Sequence, residues 1–424
     1  MKSELPKVMH KLAGAPLVSH VIHAVLPLTP QKIVVITSPT GDLVRAECAK
    51  ISEKTSNKII CAVQDEQLGT GHAVGIAKPE FAGYDGKILV LCGDTPLITS
   101  ETLANLLENS ESSEVAVLGM RLPDPTGYGR LLTDKNLRIE EIIEERDASD
   151  EQKKVNLCNS GIMAISGKYL FDLLAKVTAN NNAGEYYLTD IIAIANDLGL
   201  HCKAVVADAS ELSGINTRAQ LADSEGVFQQ RLRAKAMENG ATLIDPASVF
   251  LQVDTKIAAD VVIHPNVVFG AGVSIETGVE IRSFSHIEGA YIKAGATIGP
   301  FARIRPNSLV GAGAHIGNFV ELKNTNLGDG AKANHLSYVG DAQIGAKANI
   351  GAGTITCNYD GVNKYKTEIG AGAFIGSNSS LVAPVVIGAG AVTGAGSVIT
   401  QDVPENNLAL VRGQQVNKPR KPKT

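Results

Sequence analysis

From about residue 257 onward an aliphatic residue returns every six positions, and a chain with so short a period has few ways to bury it. Ile257, Ile263, Phe269, Ile275, Ile281 and Ile287 keep one register, and Ile298, Ile304, Val310, Ile316 and Leu322 a second. Ile344 and Ile350 form a third, and Ile369, Ile375, Leu381 and Ile387 a fourth. Separate globular units cannot arise from six residues. The pattern predicts a solenoid of short parallel strands, each coil burying its apolar row against the next.

Within the hexad the first side chain points into a narrow core. The next position sits at a turn, which favours Gly or a small polar residue. The fifth is often Ala, Val, Thr or Ser, small enough to share the interior, as in Ile350-Gly-Ala-Gly-Thr. Residues that break this pattern are the ones to examine for chemistry. His335 does so in Lys332-Ala-Asn-His-Leu-Ser-Tyr338, and Cys357–Glu368 is an insertion between coils with Asn-Tyr-Asp-Gly turn chemistry.

At 424 residues the chain exceeds one ordinary core, so two or more domains are expected. Net charge is -5, from 39 basic and 44 acidic residues, and carries no nucleic-acid signature. Arg412, Lys418, Arg420, Lys421 and Lys423 form a basic tail, either solvated or facing an anion. The six Cys lack metal-ligand spacing, which predicts a reducing, cytoplasmic setting. No apolar run reaches membrane length.

Residues 1–218 follow other rules. Lys32-Ile-Val-Val-Ile-Thr and Lys87-Ile-Leu-Val-Leu-Cys read as buried parallel strands, with helical patterns between them, so an α/β sheet with both faces covered is expected. Ligands in such sheets lie at strand carboxyl ends. Asp94 in Cys92-Gly-Asp-Thr-Pro is placed to hold Mg²⁺ beside phosphates, or else to cap the following turn. Gln64-Asp-Glu-Gln-Leu-Gly-Thr-Gly71 is a polar loop whose backbone can approach a ring or phosphate, and Asp124-Pro-Thr-Gly-Tyr-Gly-Arg130 is a tight turn.

Taken in order, Leu5-Pro-Lys-Val8, Gln67-Leu-Gly-Thr-Gly-His72, Gly93-Asp-Thr-Pro-Leu97, Asp124–Arg130, Asn159-Ser-Gly161, Gly184–Asp190 and Gly214-Ile-Asn216 precede the hexads. Inside the solenoid come Gly299-Pro-Phe-Ala-Arg-Ile-Arg-Pro306, Gly317-Asn-Phe-Val-Glu-Leu-Lys323, His335-Leu-Ser-Tyr-Val-Gly-Asp341 and Gly351–Gly361. Over essentially its whole length the chain resembles the bifunctional bacterial N-acetylglucosamine-1-phosphate uridyltransferase/glucosamine-1-phosphate acetyltransferase family. The resemblance implies a Rossmann-like nucleotidyltransferase domain over 1–219 with a truncated first strand, a linker helix over 220–240, and a left-handed parallel β-helix over 241–424 that trimerises. The general rule for parallel crossovers alone predicts the opposite hand.

It further implies two reactions. Acetyl-CoA acylates the amine of glucosamine 1-phosphate, with His335 as base and Glu321 orienting its imidazole. A lone strand histidine more often serves structure; three motif blocks converging on this one give the chemical reading. Arg305, Lys323 and Lys364 meet the phosphate, and Tyr338, Asn349, Asn358 and Tyr359 position the sugar. Ala352, Ser377, Ala395 and Arg412 line the acetyl-CoA site, although small residues at the first three also satisfy the hexad. The insertion arm reaches a neighbouring subunit. UTP then reacts with N-acetylglucosamine 1-phosphate, releasing pyrophosphate. Asp94 and Asn216 hold Mg²⁺, Lys7 contacts phosphate, and Gly93 belongs to the same site. Gln64, Gly69 and Thr70 read uracil, and Gly129, Glu144 and Asn159 hold the sugar. The product, UDP-N-acetylglucosamine, feeds cell-wall and outer-membrane glycans.

Two departures stand out. The family's first strand and Gly-rich phosphate loop precede the position of Met1, so either further chain lies upstream and restores the loop, or uridyl transfer is lost and acetyl transfer alone is the alternative; little UDP-N-acetylglucosamine is expected from the chain as given. Cys92 stands where the family often has Tyr. A non-enzymatic assembly role is the remaining alternative, against which His335, Glu321, Arg305 and Lys323 together argue.

Overall fold

The structure, a computed structural model, describes residues 1–55 and 57–419. It divides into two units, Met1–Phe228 and Gln229–Thr424. The helix expected over 220–240 runs Arg218–Glu238, and the boundary falls inside it. Leu221, Val227 and Phe228 pack on Leu12, Leu17, Leu97 and Ile215 of the first unit. Leu232 and Ala236 belong to the solenoid core, and Met237 stays exposed.

The first unit is a mixed α/β layer structure. Its main sheet runs Cys202–Ala207, Val115–Arg121, Leu157–Ser166, Arg130–Thr133, Ile139–Ile143 in spatial order, with Lys87–Val90 also on Leu157–Ser166. Only Cys202–Ala207 and Val115–Arg121 run parallel there; Lys87–Val90 is antiparallel to its partner. Ile33–Thr37 pairs in parallel with Ile59–Val63 in a separate two-stranded sheet, and its first four residues are half-buried. The expectation of two buried parallel strands holds for the direction of Ile33–Thr37 and is corrected for that of Lys87–Val90, and both strands are mostly half-buried rather than buried. An apolar run reports a strand's environment, not its direction. Each of these strands leaves most of its residues half-buried, with only Thr37 in one and Ile88 in the other buried.

The second unit is the left-handed parallel β-helix. Three ladders of two- to four-residue strands carry it, beginning at Thr242–Leu243, Lys256–Ile257 and Val268–Phe269. Coils stack in parallel, as Val262 and Ile263 pair with Glu280 and Ile281. The hexad aliphatics from Ile263 to Ile387 are buried in one core, against which Ile257 packs partly exposed. Each buried Ile, Leu or Val contributes roughly 1.5–3 kcal/mol. The core also takes Ile292, Leu327, Ala333, Val339 and Ile399, which bridge the breaks between registers. Several buried hydroxyls at the small positions find backbone carbonyls: Thr325 Oγ1 donates to Lys323 O at 3.0 Å and Thr354 Oγ1 to Gly351 O at 2.7 Å.

The coil corners turn through left-handed backbone. Asn266, Asn307, Asn324, Asp341, Asn378 and Asn406 fill it, the residue types that tolerate it best. One corner column departs: Phe284, Phe301 and Phe319, at φ of 61°, 56° and 56°, followed by Leu336 at 48°. The three rings stack at centroid distances of 4.9 and 5.1 Å and stay exposed.

Candidate active sites

In the first unit, residues far apart in the chain meet at strand carboxyl ends. Lys7, in the short turn Lys7–Met9, sends its ammonium 2.5 Å from Asp94 Oδ2 and 2.8 Å from Asn216 Oδ1. Asp94 follows the strand Lys87–Val90, and Ile215 N donates to its backbone oxygen at 2.9 Å. Gly93 lies against Val8. Two hard oxygens thus converge on one cationic centre. Among the described residues no group of three or more His, Cys, Asp and Glu is placed to hold a metal ion. A carboxylate and an amide oxygen fit Mg²⁺, which keeps waters and takes phosphate oxygens rather than demanding an all-protein cage.

Beside it, Gln64 Nε2 meets His72 Nδ1 at 2.9 Å and Gly69 O at 3.4 Å. Gly69 has φ of +112°, and a Cβ there would lie 2.6 Å from Tyr186 O. Gly71 N donates to Tyr186 O, Tyr186 N to Leu68 O, and Leu188 N to Thr70 Oγ1. The motif at Gly184–Asp190, which had no stated role, therefore clamps the 64–71 loop, and the Thr70 hydroxyl is engaged in that clamp.

Gly129, Glu144 and Asn159 also come together. Asn159 N donates to Gly129 O at 2.8 Å, and a Cβ on Gly129 would sit 3.4 Å from Glu144 Oε2. Burial pushes the Glu144 carboxyl up from its ordinary value; Thr189 opposes this with a hydrogen bond, and Asp147 and Asp190 add to the rise. Arg130 is buried at 1% exposure; it pairs with Glu145 at 2.8 Å and donates to the backbone oxygens of Tyr128 and Lys153. It braces the Asp124–Arg130 turn. Cys92 is held among buried atoms next to Gly161, and burial raises its thiol to about 11.

In the second unit, coil stacking places His335 at the head of one column. Gly353 N donates to His335 O, Asn378 N to Ala352 O, Gly396 N to Ser377 O, and Arg412 Nε to Ala395 O.

 
His335, Ala352, Ser377, Ala395 and Arg412 therefore follow one another down one corner, with small residues between the imidazole and the guanidinium. His335 is exposed and turned away from the apolar core. Its Nδ1 lies 2.7 Å from Asn318 Oδ1, one coil earlier.

This differs from the expectation for Glu321. Its carboxylate pairs with Arg305 at 2.9 Å and reaches Arg303 at 4.0 Å, so the imidazole's partner is Asn318. Glu321 and Tyr338 are register neighbours, and Arg305 and Lys323 lie at the ends of the same pair of rungs. Asn349 sits half-buried on the ladder of Lys332, between Lys332 and Phe374. Asn358 is buried, and both it and Asn324 donate to Asp341, at 2.5 and 2.6 Å. Its amide nitrogen is thus engaged within the coil. Tyr359 and Lys364 bridge across the arm and are exposed, as is Val362 at 82%. Asn318 was visible in its motif block, but its neighbourhood depends on coil stacking and not on spacing along the chain. Of the basic tail, Arg412 and Lys418 are exposed, while Arg420, Lys421 and Lys423 lie outside the described residues.

The two sets of residues define a transferase of two kinds on one chain. Residues 2–209 match the nucleotidyl transferase family, and residues 254–289 and 366–401 match the bacterial transferase hexapeptide family. The bifunctional protein GlmU of Paramagnetospirillum magneticum is 52% identical over 419 residues, covering 98% of this chain and 91% of that protein. The GlmU proteins of Jannaschia sp. and Zymomonas mobilis are 49% and 48% identical, with 99% of this chain covered and 91% and 93% of theirs. The chain belongs to the bifunctional GlmU family.

Proposed function

We propose that each unit carries one step of UDP-N-acetylglucosamine synthesis, and that the residues assembled above divide the work. The second unit transfers acetyl from acetyl-CoA to the amine of glucosamine 1-phosphate. The first transfers uridyl from UTP to N-acetylglucosamine 1-phosphate and releases pyrophosphate. Family membership favours both steps over acetyl transfer alone or a non-enzymatic role.

The observation that carries the acetyl half is the column from His335 through Ala352, Ser377 and Ala395 to Arg412. His335 takes a proton from the ammonium of the sugar so that the neutral amine attacks the thioester carbon. The tetrahedral adduct collapses, the C–S bond breaks, and the proton released by the acylated nitrogen ends on the thiolate of CoA, leaving the neutral amide. Small side chains at Ala352, Ser377 and Ala395 leave a track for the pantetheine, and Arg412 faces a CoA phosphate. Arg305, Lys323 and Lys364 supply positive charge for the sugar phosphate, with Tyr338, Asn349 and Tyr359 at its rim.

In the first unit, Asp94 and Asn216 would hold Mg²⁺, which when bound neutralises phosphate charge. Lys7 contacts phosphate from the same centre, Gln64 and the 69–71 backbone face the base, and Gly129, Glu144 and Asn159 face the sugar. The protein's part is positioning and charge neutralisation.

We place the assembly as a homotrimer in the cytoplasm, where both co-substrates are made. The stacked, exposed Phe284, Phe301 and Phe319 support a face covered by a second copy, and the arm at Cys357–Glu368 supports reach toward it. Among the described residues no helix is long and apolar enough to cross a membrane. The test is direct. Full-length protein is given glucosamine 1-phosphate and acetyl-CoA, and free CoA thiol is followed; UTP, N-acetylglucosamine 1-phosphate and Mg²⁺ are then supplied, and pyrophosphate is followed. Both products are expected. Absence of thiol release would remove the acetyl half of the proposal.

A further inference from the structure

We infer that Asn318 is the positioning residue that sets the tautomer of His335, an inference that rests on reading His335 as the base of acetyl transfer. The strands His315–Asn318 and Lys332–His335 are parallel neighbours, and their register pairs Asn318 with His335. Register, not a flexible loop, therefore brings the amide to the ring, at 2.7 Å between Oδ1 and Nδ1. The corner beyond is fixed too: Leu336 N donates to Asn318 O at 3.0 Å, and Phe319 and Leu336 both occupy left-handed backbone.

An amide oxygen only accepts. Facing it, Nδ1 must carry the proton, which leaves the Nε2 lone pair free to take one from substrate. The opposite amide orientation would put Nδ2 against Nδ1, leave the proton on Nε2 and disable the base. Neutrality matters as much as orientation. A carboxylate in this place would orient the ring equally well but would favour imidazolium. Glu321, the carboxylate of the same motif block, is instead engaged with Arg305. Around this corner the charged and titratable groups are His315 on the strand of Asn318, Lys332 on the strand of His335, and Arg282 and Glu280 two rungs before His315. The amide thus holds the ring without adding charge to a corner where cations already outnumber anions.

The experiment uses full-length protein with Asn318→Leu, Asn318→Asp and His335→Ala. Acetyl transfer is measured as kcat and KM across pH, with pyrophosphate release by the other unit as the folding control. General base catalysis is worth about 10²–10⁴-fold. Asn318→Leu should lose roughly 10- to 100-fold of that in kcat, with KM for both substrates within about twofold. Asn318→Asp should keep its high-pH plateau while the acidic limb moves up by about one pH unit, because the new carboxylate stabilises imidazolium. Wild-type kcat in Asn318→Leu, or an unmoved acidic limb in Asn318→Asp, would overturn the inference. If His335→Ala itself turns over normally, the base reading fails instead, so the two failures are distinguishable.

Discussion

Lys7 and Asp94 stand 87 positions apart in the chain and 2.5 Å apart in the fold, with Asn216 completing the contact from a third segment. Three motifs that are individually weak thus converge on one cationic centre. Asp94→Asn should lower uridyl transfer at least about 100-fold, since charge stabilisation of this kind is worth roughly 10²–10³ in kcat. Acetyl transfer should be unchanged. Pyrophosphate release and CoA thiol release from the same preparation separate the two, and equal pyrophosphate rates in variant and parent would refute the assignment.

His335→Ala should have the opposite selectivity. The side chain is exposed, so the coil loses no core contact and the fold should be intact. Thiol release should drop by about 10²–10⁴-fold. Pyrophosphate release should hold.

Glu144 predicts a pH dependence of stability. Burial raises its folded-state pKa, so its contribution is fully present below the unfolded value near 4.5 and is lost as pH rises through the raised folded value. Glu144→Gln has no proton to lose there. Its melting temperature relative to the parent should therefore climb from pH 4 toward neutrality in calorimetry of the full chain. A difference that stays flat or shrinks over that window would contradict the burial argument. Binding of N-acetylglucosamine 1-phosphate should weaken in the same variant.

Phe301→Asn tests the aromatic column. Left-handed backbone costs an ordinary side chain about 1–2 kcal/mol, and Asn tolerates it better. The substitution should leave the solenoid of a single chain at least as stable while removing the centre of the stack. Sedimentation should show dissociation to single chains at protein concentrations where the parent remains assembled. An unchanged association constant would remove this column from the interface.

Ile304→Ala tests the core. Ile304 is fully buried between rungs, so its truncation should cost about 2–5 kcal/mol. Chemical denaturation followed in the second unit measures this.

The interior of the solenoid was legible because aliphatic periodicity and burial are the same physical fact, and hexad residues from Ile263 to Ile387 lie in one core. Strand direction in the first unit was not legible. Ile33–Thr37 and Lys87–Val90 look alike as apolar runs, yet one pairs in parallel and the other antiparallel. The imidazole at 335 was found because it broke a pattern. Its partner was not, because Asn318 lies 17 residues away, and that offset arises only when coils stack with some sides shorter than six. Asn358, taken from its motif, is buried with its amide nitrogen on Asp341, a contact that spacing along the chain does not reveal. Motif resemblance names positions; stacking decides which way each of them faces.

The arm at Cys357–Glu368 has one more consequence. Beyond it the rungs resume unshifted, Ile344 opposite Ile369 and Asn349 opposite Phe374. A corner of this prism therefore behaves as an open port in the architecture: chain length can be added there without retuning a single layer beneath it. Variation in which acceptor sugars such a scaffold serves can accumulate at its corners while the stacked layers stay the same.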